Sequence, residues 1–122
     1  MEKRCVLMSG DSLCGDEELY EALQHIAVVM KNSENSQVES IMATSLVDLV
    51  IFEISKEHPV DVELIRGMKQ QFPDTIIIVV DGDADQEVLS QAFAYGAKDA
   101  FRKPYNRALM VERIQALLSR VS

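Results

Sequence analysis

The sequence predicts an α/β fold in which five parallel strands form one sheet between two layers of helices. Short, continuous apolar runs alternate along the chain with segments whose apolar residues recur at helical spacing. Two of these runs, residues 49–52 and 76–80, are apolar throughout, as expected for central parallel strands that are covered on both faces. The chain has 122 residues, of which 48% are hydrophobic and 26% are charged, and this composition is typical of one globular domain. We therefore expect a single domain spanning residues 1–122.

The first half of the chain supplies three of the predicted strands and two helices. The apolar run at residues 5–8 ends in a polar turn, and the acidic residues 16–18 favour the start of a helix. The predicted elements are, in order, a strand at residues 5–8, a helix from Leu13 to Ala27, a strand at residues 27–30, a helix from Val38 to Leu46 and a strand at residues 49–52 that ends at Glu53.

The second half supplies three helices and two strands. Pro73 closes the first of these helices, because proline cannot continue a helix. The predicted elements are, in order, a helix from Val62 to Phe72, a strand at residues 76–80, a helix at residues 86–95, a strand at residues 100–101 and a helix at residues 106–121, with Val121 on its apolar side. Because a helix separates each pair of consecutive strands, we expect right-handed crossovers and a parallel sheet.

Composition and charge exclude several classes of function. The chain has 12 Lys and Arg against 20 Asp and Glu, a net charge of −8, which repels a nucleic-acid backbone. Its apolar runs are far shorter than the roughly 20 residues that a membrane-spanning helix needs, so we expect a cytoplasmic protein with no membrane contact. Cys5 and Cys14 are expected to be free thiols. His25 and His58 have no ligand cluster around them, so no metal site is expected there.

In a parallel α/β sheet the functional crevice lies beyond the carboxyl ends of the strands. The residues at these ends are the candidate site residues: Ser9, Gly10, Asp11, Glu53, Asp81, Lys103 and Pro104. Three stretches of the sequence carry a resemblance to a known family. Residues 47–53 end at Glu53, residues 94–99 read AYGAKD, and Lys103-Pro104-Tyr105 follows. In this order and spacing, the chain resembles the receiver domain of two-component response regulators over essentially its whole length.

This resemblance implies a fold and a function. The fold is the flavodoxin-like (βα)5 three-layer sandwich with strand order 2-1-3-4-5, and the function is phosphorelay signal transduction, which is not enzymatic. A typical receiver holds Mg²⁺ with an acidic pair and the phospho-accepting aspartate, contacts the phosphoryl group with a hydroxyl and a lysine, and reports its state through an aromatic residue. The resemblance places the acidic pair at Ser9 and Gly10 and the acceptor at Glu53. It places the hydroxyl at Asp81 and the aromatic residue at Ala100. Lys103 and Pro104 match the family.

These departures predict a degenerate receiver, a pseudo-receiver, that signals without phosphorylation and binds no Mg²⁺ or other cofactor. Mg²⁺ requires near-octahedral oxygen ligands, whereas Gly10 offers no side chain and Ser9 only a neutral hydroxyl. Glu53 is one methylene longer than aspartate, and phosphoryl transfer depends on positioning. We hypothesise that Glu53, Lys103 and Asp81 form an ion cluster that holds the site in one conformation, since an unpaired buried charge is costly.

Two nearby residues have alternative interpretations. Asp11 either caps a helix, which its position before Ser12 favours, or turns inward as a lone carboxylate. Lys56 either is a solvated loop residue, the favoured interpretation, or fills the space of the missing cation.

The resemblance also implies a partner surface. We expect a protein partner or a homodimer to use the face formed by the fourth predicted helix, the fifth strand and the fifth predicted helix, with a sensor kinase as a further partner and no nucleic acid. The alternative is a functional phosphoreceiver with a rearranged acidic site, in which Asp81 or Asp11 supplies a carboxylate and Mg²⁺ binds. A flavin or small-molecule domain is disfavoured, because residues 9–15 lack the glycine-rich pattern that cradles a phosphate.

Overall fold

The computed structural model describes residues 3–120 and contains a five-stranded parallel sheet in the order β2-β1-β3-β4-β5. The strands are β1 (Cys5–Ser9), β2 (Val28–Asn32), β3 (Leu49–Ile54), β4 (Ile76–Asp81) and β5 (Asp99–Arg102). The helices are α1 (Asp11–Cys14), α2 (Glu17–Gln24), α3 (Val38–Thr44), α4 (Val62–Gln71), α5 (Gln86–Tyr95) and α6 (Arg107–Leu118), with 3₁₀ turns at Asn35–Gln37 and Pro59–Asp61. The predicted α/β fold class and strand order are confirmed.

The sheet separates two hydrophobic core clusters. On one face, Leu49 and Ile51 of β3 pack with α1, α2 and α6, and on the other face Val50 and Phe52 pack with α3, α4 and α5. Successive strand side chains point to opposite faces, which explains why the central strands are apolar throughout. None of the helices within residues 3–120 combines the length and the apolar character needed to span a lipid bilayer.

The first predicted helix, from Leu13 to Ala27, is wrong in its continuity. The structure divides it into α1 and α2, which are separated by Gly15 and Asp16. The Asp16 carboxylate accepts a hydrogen bond from the Leu19 N–H at 3.1 Å and so caps the start of a new helix.

Other boundaries shift by a few residues. The spacing places Leu46 in the second predicted helix, but α3 ends at Thr44 and Leu46 is 93% exposed. The third strand continues past Glu53 to Ile54, because Ile54 pairs with Asp81 of β4. The second strand begins and ends later than predicted, at Val28–Asn32. The last helix ends at Leu118, and Val121 lies outside the described residues.

Candidate functional site

A cleft of about 750 Å³ lies beyond the carboxyl ends of the strands. Its lining includes six carboxylate side chains and one ammonium group, namely Asp11, Glu34, Glu53, Glu57, Asp61, Asp83 and Lys103. The cleft is therefore strongly acidic, and Lys103 is the cationic side chain that lines it. The arrangement of Lys103 and Glu53 determines what the cleft can do.

Both carboxylate oxygens of Glu53 accept hydrogen bonds from donors within the chain. Its side chain is only 12% exposed, one carboxylate oxygen accepts a hydrogen bond from the Lys103 ammonium, and the other accepts one from the Leu13 N–H at 3.1 Å. Leu13 is in the first turn of α1, where backbone N–H groups have no partner within the helix. Glu53 therefore both pairs with a lysine and caps a helix from a distant strand.

Gly10 makes this position of Glu53 sterically possible. A Cβ atom at residue 10 would overlap Cβ and Oε1 of Glu53. The Gly10 backbone has φ 131°, a conformation that is essentially restricted to glycine. The backbone of Gly10 also donates a hydrogen bond to the Asn32 carbonyl at 2.9 Å. The absence of a side chain at residue 10 and the long side chain at residue 53 are thus complementary.

Lys103 is held over Glu53 by its own backbone. Its N–H donates to the Asp81 carbonyl at 2.8 Å, and the following peptide bond to Pro104 is cis. Its ammonium group also donates to Ser12 Oγ at 2.9 Å. The Lys103 side chain is 29% exposed, so this ion pair lies partly shielded at the edge of the cleft.

Asp81 does not join the Glu53–Lys103 pair, and the predicted three-residue cluster is wrong in this member. Asp81 is 1% exposed; its carboxylate accepts from the Ala84 N–H at 2.7 Å and from the Arg102 guanidinium at 2.8 Å. Asp81 and Arg102 are register partners across β4 and β5, so their side chains share a face of the sheet. Lys103 is one residue further on and turns to the other side.

Ser9 is sealed beneath an asparagine network rather than open to the cleft. It is fully buried, donates to Asn35 Oδ1 at 2.7 Å and accepts from Asn32 at 3.2 Å. Asn35 in turn donates to the Glu53 carbonyl at 2.8 Å and to Asp61 at 3.0 Å. The sequence analysis missed Asn35, and the only signal was its place in a polar loop after β2.

The remaining candidates lie at the margins. Asp11 is exposed and is the first residue of α1, whose N-cap is Gly10 with no side-chain cap bond, so the cap interpretation is wrong. Lys56 is exposed, and its N–H donates to Asp83 at 2.9 Å. Pro104 lines a neighbouring groove with Tyr105. Ala100 is partly buried against the core cluster that contains α5.

A second polar cluster, which the sequence analysis did not find, joins the start of α2 to the start of α6. The Asp16 carboxylate accepts from the Tyr105 hydroxyl at 2.6 Å and from Arg107 Nε at 2.9 Å. Burial opposes ionisation of Asp16, but the hydrogen bonds from Tyr105, the Leu19 N–H and Arg107 outweigh it and lower the pKa of this carboxyl. Burial and the bond to Asp16 raise the pKa of Tyr105.

Comparison with known proteins identifies the fold. No protein-family model matches the sequence. A receiver domain protein from Methanospirillum hungatei JF-1 superposes with a TM-score of 0.86 at 20% identity, over 97% of this chain and 95% of that chain. An orphan response regulator of H. pylori superposes with a TM-score of 0.80 at 24% identity, over 94% of this chain and 96% of that chain. An atypical orphan response regulator superposes with a TM-score of 0.79 at 22% identity, over 95% of this chain and 96% of that chain. The chain has the receiver fold.

The receiver fold implies a Mg²⁺ site beside Glu53, and the residues present do not fit one. Gly10 supplies no ligand, Ser9 is bonded to two asparagines, and both oxygens of Glu53 already accept hydrogen bonds. Mg²⁺ in proteins is bound through one or two carboxylates in tight octahedral geometry. Within residues 3–120, no group of three or more His, Cys, Asp or Glu side chains is arranged to hold a metal ion.

Proposed function

We propose that this chain is a receiver-type signal transduction module that works without phosphorylation and acts by binding another protein. The observation that carries the proposal is the state of the Glu53 carboxylate. An attacking carboxylate must be free to approach phosphorus in line, but that of Glu53 is bonded to Lys103 and to the Leu13 N–H. The lysine that would contact a phosphoryl group is neutralised by the same residue.

Two structural neighbours support this proposal. One is an orphan response regulator of H. pylori, and the other is an atypical orphan response regulator with a phosphorylation-independent regulatory mechanism. Regulation of a receiver without phosphate is therefore described for a protein with this fold. We propose the same for this chain, with no enzymatic activity and no cofactor.

The alternative of a rearranged phosphoreceiver requires a free carboxylate from Asp81 or Asp11. Asp81 is buried, and its two carboxylate oxygens accept hydrogen bonds from the Ala84 N–H and from Arg102. Freeing this carboxylate would leave both donors without their acceptor. Asp11 is exposed at the first turn of α1 and lines the same cleft, but Glu53 and Lys103 bond to each other, to the Leu13 N–H and to Ser12 rather than to Asp11. Both observations favour the phosphorylation-independent module.

The proposed partner surface is the face formed by α5, β5 and α6. Each helix exposes one large apolar side chain, Phe93 at 45% and Leu109 at 49%, whose burial against a partner would be favourable. On β5, Ala100 occupies the position at which the family has its switch aromatic. With only a methyl group there, we propose that this face keeps one conformation and binds its partner, or a second copy, constitutively.

Intact-mass spectrometry tests the phosphorylation-independent function. The full chain is incubated with Mg²⁺ and acetyl phosphate or phosphoramidate, beside Glu53→Gln, which lacks the carboxylate, and a receiver of known activity as the positive control. We expect the mass of the wild-type chain to stay unchanged while the positive control gains a phosphoryl group. A stoichiometric phosphoryl adduct on the wild-type chain that is absent from Glu53→Gln would overturn the proposal.

A further inference from the structure

The opposite end of the sheet holds a cavity with a different character. It has a volume of about 520 Å³ and lies at the amino end of β4, and its lining includes Lys69, Lys98 and Arg120. A volume in this range is typical of small-molecule sites. Three cationic side chains thus line one cavity in a chain whose net charge is −8. We call it the amino-end cavity.

Lys69 is built into the wall of the amino-end cavity. Its ammonium group donates to the carbonyls of Pro73 and Thr75, both at 2.8 Å, which leaves one of its three N–H donors for another acceptor. Its stem passes over Gly96, where a Cβ would approach Lys69 Cγ to 2.6 Å. Gly96, at φ 125°, therefore provides the space in which this lysine lies.

The charges of this cavity are not neutralised by salt bridges. Five other cations within residues 3–120 each lie within salt-bridge distance of a carboxylate: Lys31, Arg102, Lys103, Arg107 and Arg113. Among the described side chains, Lys69, Lys98 and Arg120 form no such pair. Burial and the neighbouring Lys98 lower the pKa of Lys69, an effect that Asp74 partly offsets. The site therefore has an excess of positive charge that an anion would relieve.

Lys98 is positioned by the sheet. Its N–H donates to the Ile77 carbonyl at 2.7 Å, which fixes its backbone beside the first residues of β4. Asp74 is the carboxylate that lines the cavity; it is exposed and belongs to no salt bridge of the described chain. Its negative charge limits the affinity for anions, and this makes it a useful site for a gain-of-affinity variant.

We propose that the amino-end cavity binds a phosphate-type oxyanion carried by a small molecule. A multiply charged phosphate group accepts hydrogen bonds from several ammonium and guanidinium donors at once, and Lys69, Lys98 and Arg120 offer such donors around a single volume. This site lies at the amino end of the strands, so it is independent of the Glu53–Lys103 pair and of the function proposed above.

Amide chemical shifts in NMR titrations test this proposal on the full chain. Inorganic phosphate and pyrophosphate are added at constant ionic strength, followed by a nucleoside diphosphate. We expect saturable 1:1 shifts confined to the amides near residues 74–77 and 96–98, with pyrophosphate binding tighter than phosphate. Tighter binding of the nucleoside diphosphate would identify a nucleotide as the carrier, and equal binding would show that the phosphate group alone is recognised. The absence of saturable shifts for all three anions would overturn the proposal.

Charge-matched variants separate a specific site from general charge. Lys98→Gln and Arg120→Gln are each expected to weaken pyrophosphate binding at least about fivefold, because a nearby charge is removed. Lys56→Gln removes the same charge from an exposed loop at the other end of the sheet and should leave the affinity unchanged. Asp74→Asn is expected to strengthen binding, whereas Glu112→Gln, at an exposed position of α6, should not. Equal effects of Lys56→Gln and Lys98→Gln would also overturn the proposal.

Discussion

At the scale of single residues, Glu53 and Gly10 are one feature and not two independent departures from the receiver pattern. The Glu53 side chain occupies the space that any side chain at residue 10 would require. Its carboxylate also caps α1 through Leu13, a task that the N-cap residue Gly10 has no side chain to perform. The longer acid therefore occupies the space beside Gly10 and also caps α1, and a change at either residue affects the other.

Gly10→Ala is expected to destabilise the fold by about 2 kcal/mol or more. The added Cβ would collide with Glu53, an overpacking cost of about 1–3 kcal/mol, and the backbone conformation adds about 1–3 kcal/mol for a residue other than glycine. Urea unfolding, read as the free energy of unfolding, measures the loss. Gly82→Ala is the control, because its Cβ would meet only Lys103 Cδ, at 3.5 Å. Equal stability of the two variants would contradict this account.

At the scale of secondary-structure elements, the polar cluster of Asp16, Tyr105 and Arg107 connects α2 to the start of α6. Asp16 caps α2 through the Leu19 N–H and receives the Tyr105 hydroxyl from the loop after β5. Tyr105 lies two residues after Lys103, so its hydrogen bond to Asp16 also positions the segment that carries the lysine of the cleft. The short α1 and the break at Gly15 allow Asp16 to reach this position.

The lowered pKa of Asp16 predicts a pH dependence of stability with a definite sign. Below the ordinary value of 3.8, the unfolded chain binds a proton at this carboxyl before the folded chain does. Stability from Asp16 is therefore full above that pH and is lost as the pH falls through the lowered folded pKa. We expect Asp16→Asn to flatten the acid limb of the melting temperature against pH, and Tyr105→Phe to flatten it partly. Parallel profiles for Asp16→Asn and wild type would contradict the prediction.

The sequence alone predicts the strands and helices, but not which side chains bond to each other across them. The runs at residues 49–52 and 76–80 predict buried strands because both faces of a central parallel strand are covered, and the structure confirms them. The partner of Asp81 depends on strand register, which places it opposite Arg102. The spacing of apolar residues predicts the two strands but does not by itself identify Arg102 as the residue opposite Asp81. Leu46 shows the same limit, since helical spacing does not reveal that α3 ends at Thr44.

At the scale of the whole molecule, the hydrophobic packing that holds the fold is separate from the residues of the cleft. The hydrophobic clusters on both sheet faces hold the receiver fold, and none of that packing requires a metal ion or a phosphoryl group. A ligand shifts a conformational equilibrium only by its difference in affinity for the two states. Glu53 and Lys103 are paired to each other, and under the proposed function we therefore expect neither Mg²⁺ nor a phosphoryl analogue to change the state of the proposed partner surface.

Restoring the acidic site step by step tests this separation. We expect Mg²⁺, compared with NaCl at equal ionic strength, to leave the melting temperature of the wild-type chain unchanged. Glu53→Asp alone should remain insensitive, because Ser9 and Gly10 still provide no carboxylate. The combined variant Ser9→Asp, Gly10→Asp and Glu53→Asp removes the Oε1 clash but keeps the Cβ at residue 53 that a side chain at residue 10 would overlap, so the backbone at residue 10 has to shift. In the folded variant the melting temperature should rise by about 3 °C or more with saturating Mg²⁺. Circular dichroism establishes that this variant is folded. A Mg²⁺-dependent rise in the wild type or in Glu53→Asp would mean that the native cleft already holds a metal-binding set of oxygens.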